Sequence, residues 1–512
     1  MPADKPSAHQ KSKTGRERKK PLVRQIVRWI LWAWLVVLVV VSAILIIRTV
    51  TFRSRQMLVS AKEVTMPSPT EMAERLAESL TFKTISDGAN HIPAQSFYDL
   101  HEHLRVSFPR VEKSLVRENI ANYSLLYTWR GSSPELPSLI LAAHLDVVPA
   151  ESEGWDVAPF AGVVRGGFVH GRGALDDKVS VVAILEAIEQ LLRQGFTPTR
   201  TIYLAFGHDE EVGGNEGAAA IAEILSARNV HAEAIIDEGL VVTQGILDGI
   251  DQPIALIGVA EKGMMNVELR AQGQGGHSSM PPAETAVGIL GKAIVAIQSS
   301  RMPASIDGAV AEMFSYVGPE FSFGKKLVMA NLWLFGPLVR GALSEKPATD
   351  ALLRTTIAPT MISGGIKPNV LPQEAKAIVN FRIKPGETGD DVLRYLQGVI
   401  SDKRVSVRVL ERYDPIPKSN SDSRVYKAMV RSIRSLDPEI LVAPGLMLAM
   451  TDSRHYTEIS QDIYRFTALR MGPDDLLRLH GKNERIEVSN YAEVVAYNIL
   501  LLQDLAGDSS SE

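Results

Sequence analysis

The chain has 512 residues, a length that predicts two or three domains and excludes a small single module. Hydrophobic residues make up 45%, enough for a sizeable core, and 55 basic against 59 acidic residues leave a net charge of -4, which excludes a dedicated nucleic-acid binder. Cysteine is absent, which excludes thiol nucleophiles, disulfides, cysteine-ligated zinc and iron–sulfur clusters and leaves the redox compartment open.

Residues 1–28 concentrate basic groups, nine against only Asp4 and Glu17, and predict a cytoplasmic tail. Residues 29–47 then run without a charge until Arg48. As a helix this run is about 28 Å long, close to the ~30 Å of a bilayer's hydrocarbon core. Trp29, Trp32 and Trp34 stand at its start, where an interfacial aromatic belt falls. The pattern predicts a single-pass membrane helix, N-terminus in the cytoplasm and the remainder on the far side. A cleaved signal peptide, with Val41-Ser42-Ala43 as its processing site, is the competing reading, but its apolar region is normally about 7–15 residues. Residues 48–68 read as a linker.

Residues 70–82 space their apolar groups as a helix does. A buried strand is predicted over 139–143, a helix over 178–194 ending at Gly195, a strand over 201–206, a helix over 216–226 and a third strand over 234–236. This rhythm predicts an α/β domain with a largely parallel sheet over 69–260, completed by 412–505. Between them, 261–411 reads as a smaller α+β unit, with strands at 264–271, 377–383 and 405–410 and helices at 284–299 and 390–401. Residues 303–355 interrupt it, and their segment 327–339 is rich in Leu, Phe and Trp. That segment reads as a hydrophobic helix packed on the inserted unit, as a wall for a lipophilic substrate, or as a second membrane contact. Residues 506–512 are predicted to be disordered.

The chemistry-bearing residues gather where predicted strands end, as ligand sites do in α/β sheets. His144 and Asp146 follow the first strand two residues apart and share a side, so Asp146 can orient the imidazole. Asp176 and Asp177 open a helix, where N-capping is the plain alternative. His208-Asp209-Glu210-Glu211 follows the second strand, and burying four such groups is costly unless they are paired or coordinated. Asp237-Glu238-Gly239 follows the third strand.

Together these segments resemble the M20 family of metallopeptidases. The matching motifs are LILAAHLDVVP (139–149), HGRGALDDK (170–178), GHDEEVGG (207–214), IDEG (236–239), GGHSSMPP (275–282), KPNVLP (367–372) and HGKNERI (480–486). They run in family order across about 65–505 and resemble the carboxypeptidase S-like branch most. The resemblance implies a mixed sheet flanked by helices with an inserted lid, through which dimeric members pair.

The resemblance also assigns roles. His144 and Asp237 would hold one divalent metal ion, Glu211 and His480 the other, and Asp176 would bridge them. Zinc is the leading identity, with cobalt or manganese as alternatives. Asp146 would orient His144, Glu210 would act as general base and then acid, and His277 would stabilise the oxyanion, from the partner subunit in dimers. The peptide between Asp176 and Asp177 would be cis. Arg382, or else Arg454, would grip a substrate carboxylate, with Asn369 adding a hydrogen bond. His455 reads as a structural neighbour. The implied substrates are N-acyl amino acids or C-terminal peptide bonds. The competing functions are a dipeptidase without lipophilic preference, an inactive binding protein of the same fold, and a metallo-phosphoesterase.

Overall fold

A computed structural model describes residues 20–87, 92–245 and 249–507. Most of the expected basic tail and the end of the expected disordered tail lie outside the described residues.

The apolar run forms part of one helix, Lys20–Thr51. Neither proline nor glycine follows Pro21 within it, and nothing else in its interior breaks the backbone ladder. The stretch Arg24–Thr51 is long and apolar enough to cross a membrane. The helix absorbs the first four residues of the expected linker, and the Thr49 and Thr51 hydroxyls close it by donating to the Leu45 and Ile47 carbonyls.

The main sheet has eight strands in the order Val116–Ile120, Ser124–Trp129, Ile202–Gly207, Ser138–His144, Ala232–Thr243, Ile463–Met471, Ile254–Glu261 and Leu441–Met447. Its centre is parallel. The first two strands form an antiparallel hairpin that joins the edge antiparallel, so the sheet is mixed rather than largely parallel. That hairpin turns through Ala121 and Asn122, at φ of 46° and 71°. On one face lie Lys178–Arg193, Val488–Ala506, Pro69–Ser79 and Arg424–Leu436, over a large core that includes Leu139, Leu141, Ile184, Ile188, Leu204 and Leu501. Ala218–Ala227 covers the other face, against Ile140, Ala205 and Ile235. The alternation of Ile140 with Leu139 and Leu141 between the two cores is the period-two geometry of a strand buried on both sides.

A second, fully antiparallel sheet orders Thr356–Gly364, Glu374–Ile383, Gly263–Gln272 and Val405–Tyr413. Every second residue of Glu374–Ile383 is buried, and Val379 and Phe381 pack beneath Ala286–Ser299 and Gly389–Val399. Thr388 and Asp391 form a capping box that starts the latter helix.

The segment 303–355 departs from its simplest expectation. It does not fold onto the second sheet's core. Helix Gly308–Val317 packs on the edge strand Leu441–Met447, and Val317 and Phe321 share an apolar cluster with Ile254 and Leu441. Helix Phe323–Ala330 packs on the N-terminal helix. The single helix expected over 327–339 is two, because Asn331 breaks it at φ -127° and ψ 42° before Leu332–Leu343. The Asn331 amide donates to the Leu327 carbonyl and, across to the N-terminal helix, to the Leu45 carbonyl.

Candidate metal centre and active site

Strand Ser138–His144 ends on a histidine, and the polar groups beyond it are buried rather than solvated. The His144 Nδ1 lies 3.0 Å from the Asp146 carbonyl oxygen and 3.3 Å from its Oδ1. The two Asp146 carboxylate oxygens accept from the backbone N–H of Glu210 (3.1 Å) and of Glu211 (3.2 Å). One buried side chain therefore aims the histidine and fixes the turn that carries both glutamates. Gly213 and Gly214 complete that turn at φ of 111° and 64°, and a Cβ on Gly214 would collide with Asp452 Oδ1.

Four separated residues converge here. His144 Nε2 lies 2.9 Å from Asp176 Oδ1; His480 Nε2 lies 3.1 Å from Asp176 Oδ2 and 3.2 Å from Glu211 Oε2. Asp176 thus faces both histidines, one with each oxygen. The peptide joining it to Asp177 is cis. Asp177 accepts from the His144 N–H.

The carboxylate of Asp237, the other expected ligand, accepts from the backbone N–H of Ser453 and of Glu238, each at 2.9 Å. Its neighbour Glu238 places Oε1 3.4 Å from His144 Nε2. Among the described residues, the groupings compact enough to share an ion are His144–Asp176–Glu211 and His144–Asp177–Glu238, and Asp237 is in neither.

A second contribution that the motifs carried without revealing is Glu484. Buried completely, it accepts from the N–H groups of Gly173 (3.0 Å), Leu175 (2.7 Å) and Asp176 (3.3 Å) and pairs with the Arg172 guanidinium. The acid in the HGKNERI motif is its trace in the sequence.

The charge distribution suits a cation. Burial raises the Glu210 carboxyl well above its ordinary range, and nearby Glu238, Asp452 and Asp176 add to that effect. Burial, with the charge of Asp176, pushes Glu238 up to about 7. Hydrogen bonds to Asp176 and Glu211 raise His480 to about 10. Asp176 moves the other way: burial opposes its ionisation, but hydrogen bonds from His144 and His480 outweigh burial and hold it low. Glu211 Oε1 is buried without a hydrogen-bond partner. Clustered carboxylates with an orphaned oxygen and two imidazoles make a donor set that divalent zinc, cobalt or manganese fits.

The remaining expected residues lie elsewhere. His277 and Asn369 sit on the exposed short pairing of Gly276–His277 with Val370–Leu371; His277 Nδ1 contacts Ser279 Oγ at 2.7 Å, and the Asn369 carbonyl accepts from Ser278 N–H. Neither contacts the cluster. Arg454 is occupied, donating to the Gly213 and Thr451 carbonyls and stacking 5.0 Å over Tyr413. His455 also meets the Gly213 carbonyl, as a structural neighbour does. Arg382 is half-buried on Glu374–Ile383, its guanidinium lowered by burial and by Arg454, against the opposing pull of Glu261.

A cavity of about 530 Å³ opens onto Asp176, Glu210, Glu211, Glu238 and His480. Its far walls are aliphatic and thioether: Leu240, Leu256, Met447, Met450, Leu469 and Leu479 among them. No residue of 303–355, the segment read as one possible wall for a lipophilic substrate, lines this cavity.

A histidine–carboxylate cluster at the strand ends of a mixed α/β sheet, beside an inserted antiparallel sheet, is the build of a metal-dependent peptidase or amidohydrolase. Residues 140–504 match Peptidase family M20/M25/M40, and the chain belongs to that family. An N-fatty-acyl-amino acid synthase/hydrolase of Danio rerio is 42% identical over 436 residues, 84% of each chain. A probable carboxypeptidase S-like protein of Dictyostelium discoideum is 39% identical over 91% of this chain and 92% of its own. The crystal structure of an M20 metallo-carboxypeptidase from Sulfolobus solfataricus superposes with a TM-score of 0.63 at 20% identity, covering 85% of this chain and 98% of that one.

Proposed function

We propose that the protein is a membrane-anchored two-metal amidohydrolase that cleaves N-acyl amino acids carrying an aliphatic acyl chain. The observation that carries this reading is the cavity of about 530 Å³ joining the acidic cluster to a wall of Leu and Met side chains. Ligand pockets are commonly about 300–1,000 Å³, mostly apolar, with a few polar groups at the reacting end.

From the distances among them, His144, Glu238 and Asp176 would hold one ion, and His480, Glu211 and Asp176 the other, with zinc as the leading identity. Bound there, the ions would supply Lewis acidity and lower the pKa of water. Glu210 lines the cavity, its backbone N–H held by Asp146, and takes the proton of the attacking water. The same carboxyl then returns it to the leaving amine. The raised affinity of Glu210 for a proton suits both halves of that transfer. Arg382 would receive the product carboxylate, since no hydrogen bond or ion pair engages its guanidinium among the described residues. The second-sheet unit would act as the lid, and His277, exposed on it, would reach a reacting carbonyl through closure or from a second copy of the chain. The Lys20–Thr51 helix would anchor the enzyme with its catalytic domain outside the cytoplasm.

A second reading, cleavage of C-terminal peptide bonds, is favoured by the carboxypeptidase S-like relative. A substrate panel of acyl amino acids of increasing chain length against plain dipeptides separates the two. A kcat/KM that does not rise with acyl length overturns the acyl reading. Glu210→Gln is expected to abolish turnover while two metal ions per chain are retained; activity in that variant refutes the assigned base.

A further inference from the structure

The chain's N-terminal helix is exposed from Arg24 to Val40 on every side. Beyond that point, Val41, Leu45 and Thr49 lose exposure while their neighbours through Thr51 stay open. These three lie four residues apart on one helical face, the face against which Phe323–Ala330 packs. Two polar links fix the height of this contact. The Asn331 amide donates to the Leu45 carbonyl at 3.2 Å, and Arg48 Nε donates to the Ala330 carbonyl at 3.2 Å. Val41 and Leu45 belong to the uncharged run that ends at Ile47, so the contact reaches alongside its last seven residues, about 9 Å of helix.

The same segment presents an apolar surface that no other described residue covers. Phe323 is 61% exposed, Trp333 55%, Leu334 43% and Leu338 68%. Within Leu332–Leu343 the buried positions are Gly336 and Val339, so the helix turns its smaller face inward and its large side chains outward. Trp333 satisfies its indole N–H on Asn331 Oδ1 at 3.2 Å, leaving the ring free of any polar demand. A soluble surface does not ordinarily gather such side chains.

We infer that Phe323–Leu343 is a monotopic membrane contact that beds into the outer lipid leaflet beside the anchor and holds the catalytic domain at the bilayer surface. This rests on the proposed anchor: once the helix spans a bilayer, the hydrogen bond to Leu45 places Asn331 and its flanking helices at the level of headgroups and upper acyl chains. Amphipathic elements of this kind bed about 5–10 Å deep, which matches the ~9 Å of overlap. The occupant is phospholipid, by continuity with the exposed helix that already meets it. The surface also communicates with the substrate cavity through packing: Leu256, which lines the cavity, rests on the cluster formed by Val317 and Phe321 just before the lipid-facing segment. A lipophilic substrate partitioned in the leaflet would thus lie beside the enzyme that consumes it.

The chain has no cysteine, so single-cysteine labelling needs no background removal. Full-length protein would be reconstituted in phosphatidylcholine vesicles with a nitroxide at Phe323→Cys, Trp333→Cys or Leu338→Cys. Leu38→Cys serves as the anchor reference and Val106→Cys, on the exposed face of helix Ala94–Ser107, as the water reference. Collision with oxygen relative to a water-soluble nickel chelate is the readout. The three insert sites are expected to give oxygen-to-nickel ratios several-fold above Val106 and approaching Leu38. Ratios equal to Val106 at all three sites, with Leu38 lipid-like, overturn the inference and leave the anchor standing. A water-like Leu38 removes the anchor and this inference with it. Spin–spin broadening at Leu338, with low access to both relaxers, overturns it in favour of a second copy of the chain covering the patch.

Discussion

Asp146 carries three duties at once, and Asp146→Asn separates them. The side chain is fully buried, and its two oxygens accept from Glu210 and Glu211 at 3.1 and 3.2 Å while Oδ1 stands 3.3 Å from His144 Nδ1. Asparagine keeps the volume but replaces one acceptor with an N–H₂ donor. One backbone N–H then faces another donor, and an unsatisfied buried donor costs about 1–3 kcal/mol. The histidine keeps the Asp146 carbonyl at 3.0 Å but loses the negative charge 3.3 Å from its Nδ1; substitutions at such outer positions typically cost about 10–100-fold in metal affinity or activity. The expected outcome is a metal-free protein destabilised by roughly 2 kcal/mol, with both metal affinity and kcat reduced. Thermal unfolding in detergent with and without metal, metal titration, and kcat on one substrate read the three effects separately. Wild-type stability together with wild-type metal affinity in Asp146→Asn would refute the assignment of Asp146 as the brace of the site.

Two further outcomes follow from features away from that brace. Met450→Trp fills part of the apolar cavity and, by denying burial to two or three methylenes at about 0.8 kcal/mol each, should lower kcat/KM for a long-chain acyl substrate by roughly 30-fold and leave an acetyl substrate nearly unchanged; equal losses on both would show that the chain binds elsewhere. His101 is buried with Nε2 2.9 Å from the Tyr123 carbonyl oxygen, and burial lowers its pKa from 6.5 to about 4. Below pH 6.5 the unfolded chain therefore binds the proton that the folded chain refuses, and stability falls as pH drops toward 4 by up to about 3 kcal/mol. His101→Gln should flatten that window in pH-dependent unfolding, and an unchanged slope would assign the acid sensitivity to other groups.

The parts of the fold that were readable carry a strong periodic signal. Residues 139–143 are apolar on both sides because the strand Ser138–His144 is buried on both faces, and a run that short, followed at once by polar groups, reads as a central strand. The inserted sheet was readable for the opposite reason, since Glu374–Ile383 alternates strictly between core and surface. The hairpin Val116–Ile120 and Ser124–Trp129 went unread. Its turn rests on Ala121 and Asn122 in left-handed conformations, where glycine would have marked it, and its second strand is buried almost throughout and so lacks alternation.

The site shows where sequence order stops carrying information about direction. His144, Asp176, Glu211 and His480 sit at the ends of separate elements, and their side chains meet within 3.2 Å of one another in the chain His144–Asp176–His480–Glu211. Asp237 and Glu238 are consecutive residues of one strand, Ala232–Thr243, and consecutive side chains point to opposite faces. Which of the two meets His144 depends on the register of that strand against Ile463–Met471, and the register slips between Asp237 and Leu240. A one-residue shift exchanges the two carboxylates. Composition cannot decide between them, because both are acids of the right type. The arbiter is the pair of backbone N–H groups, Ser453 and Glu238, that claims the aspartate and leaves the longer glutamate to reach the histidine.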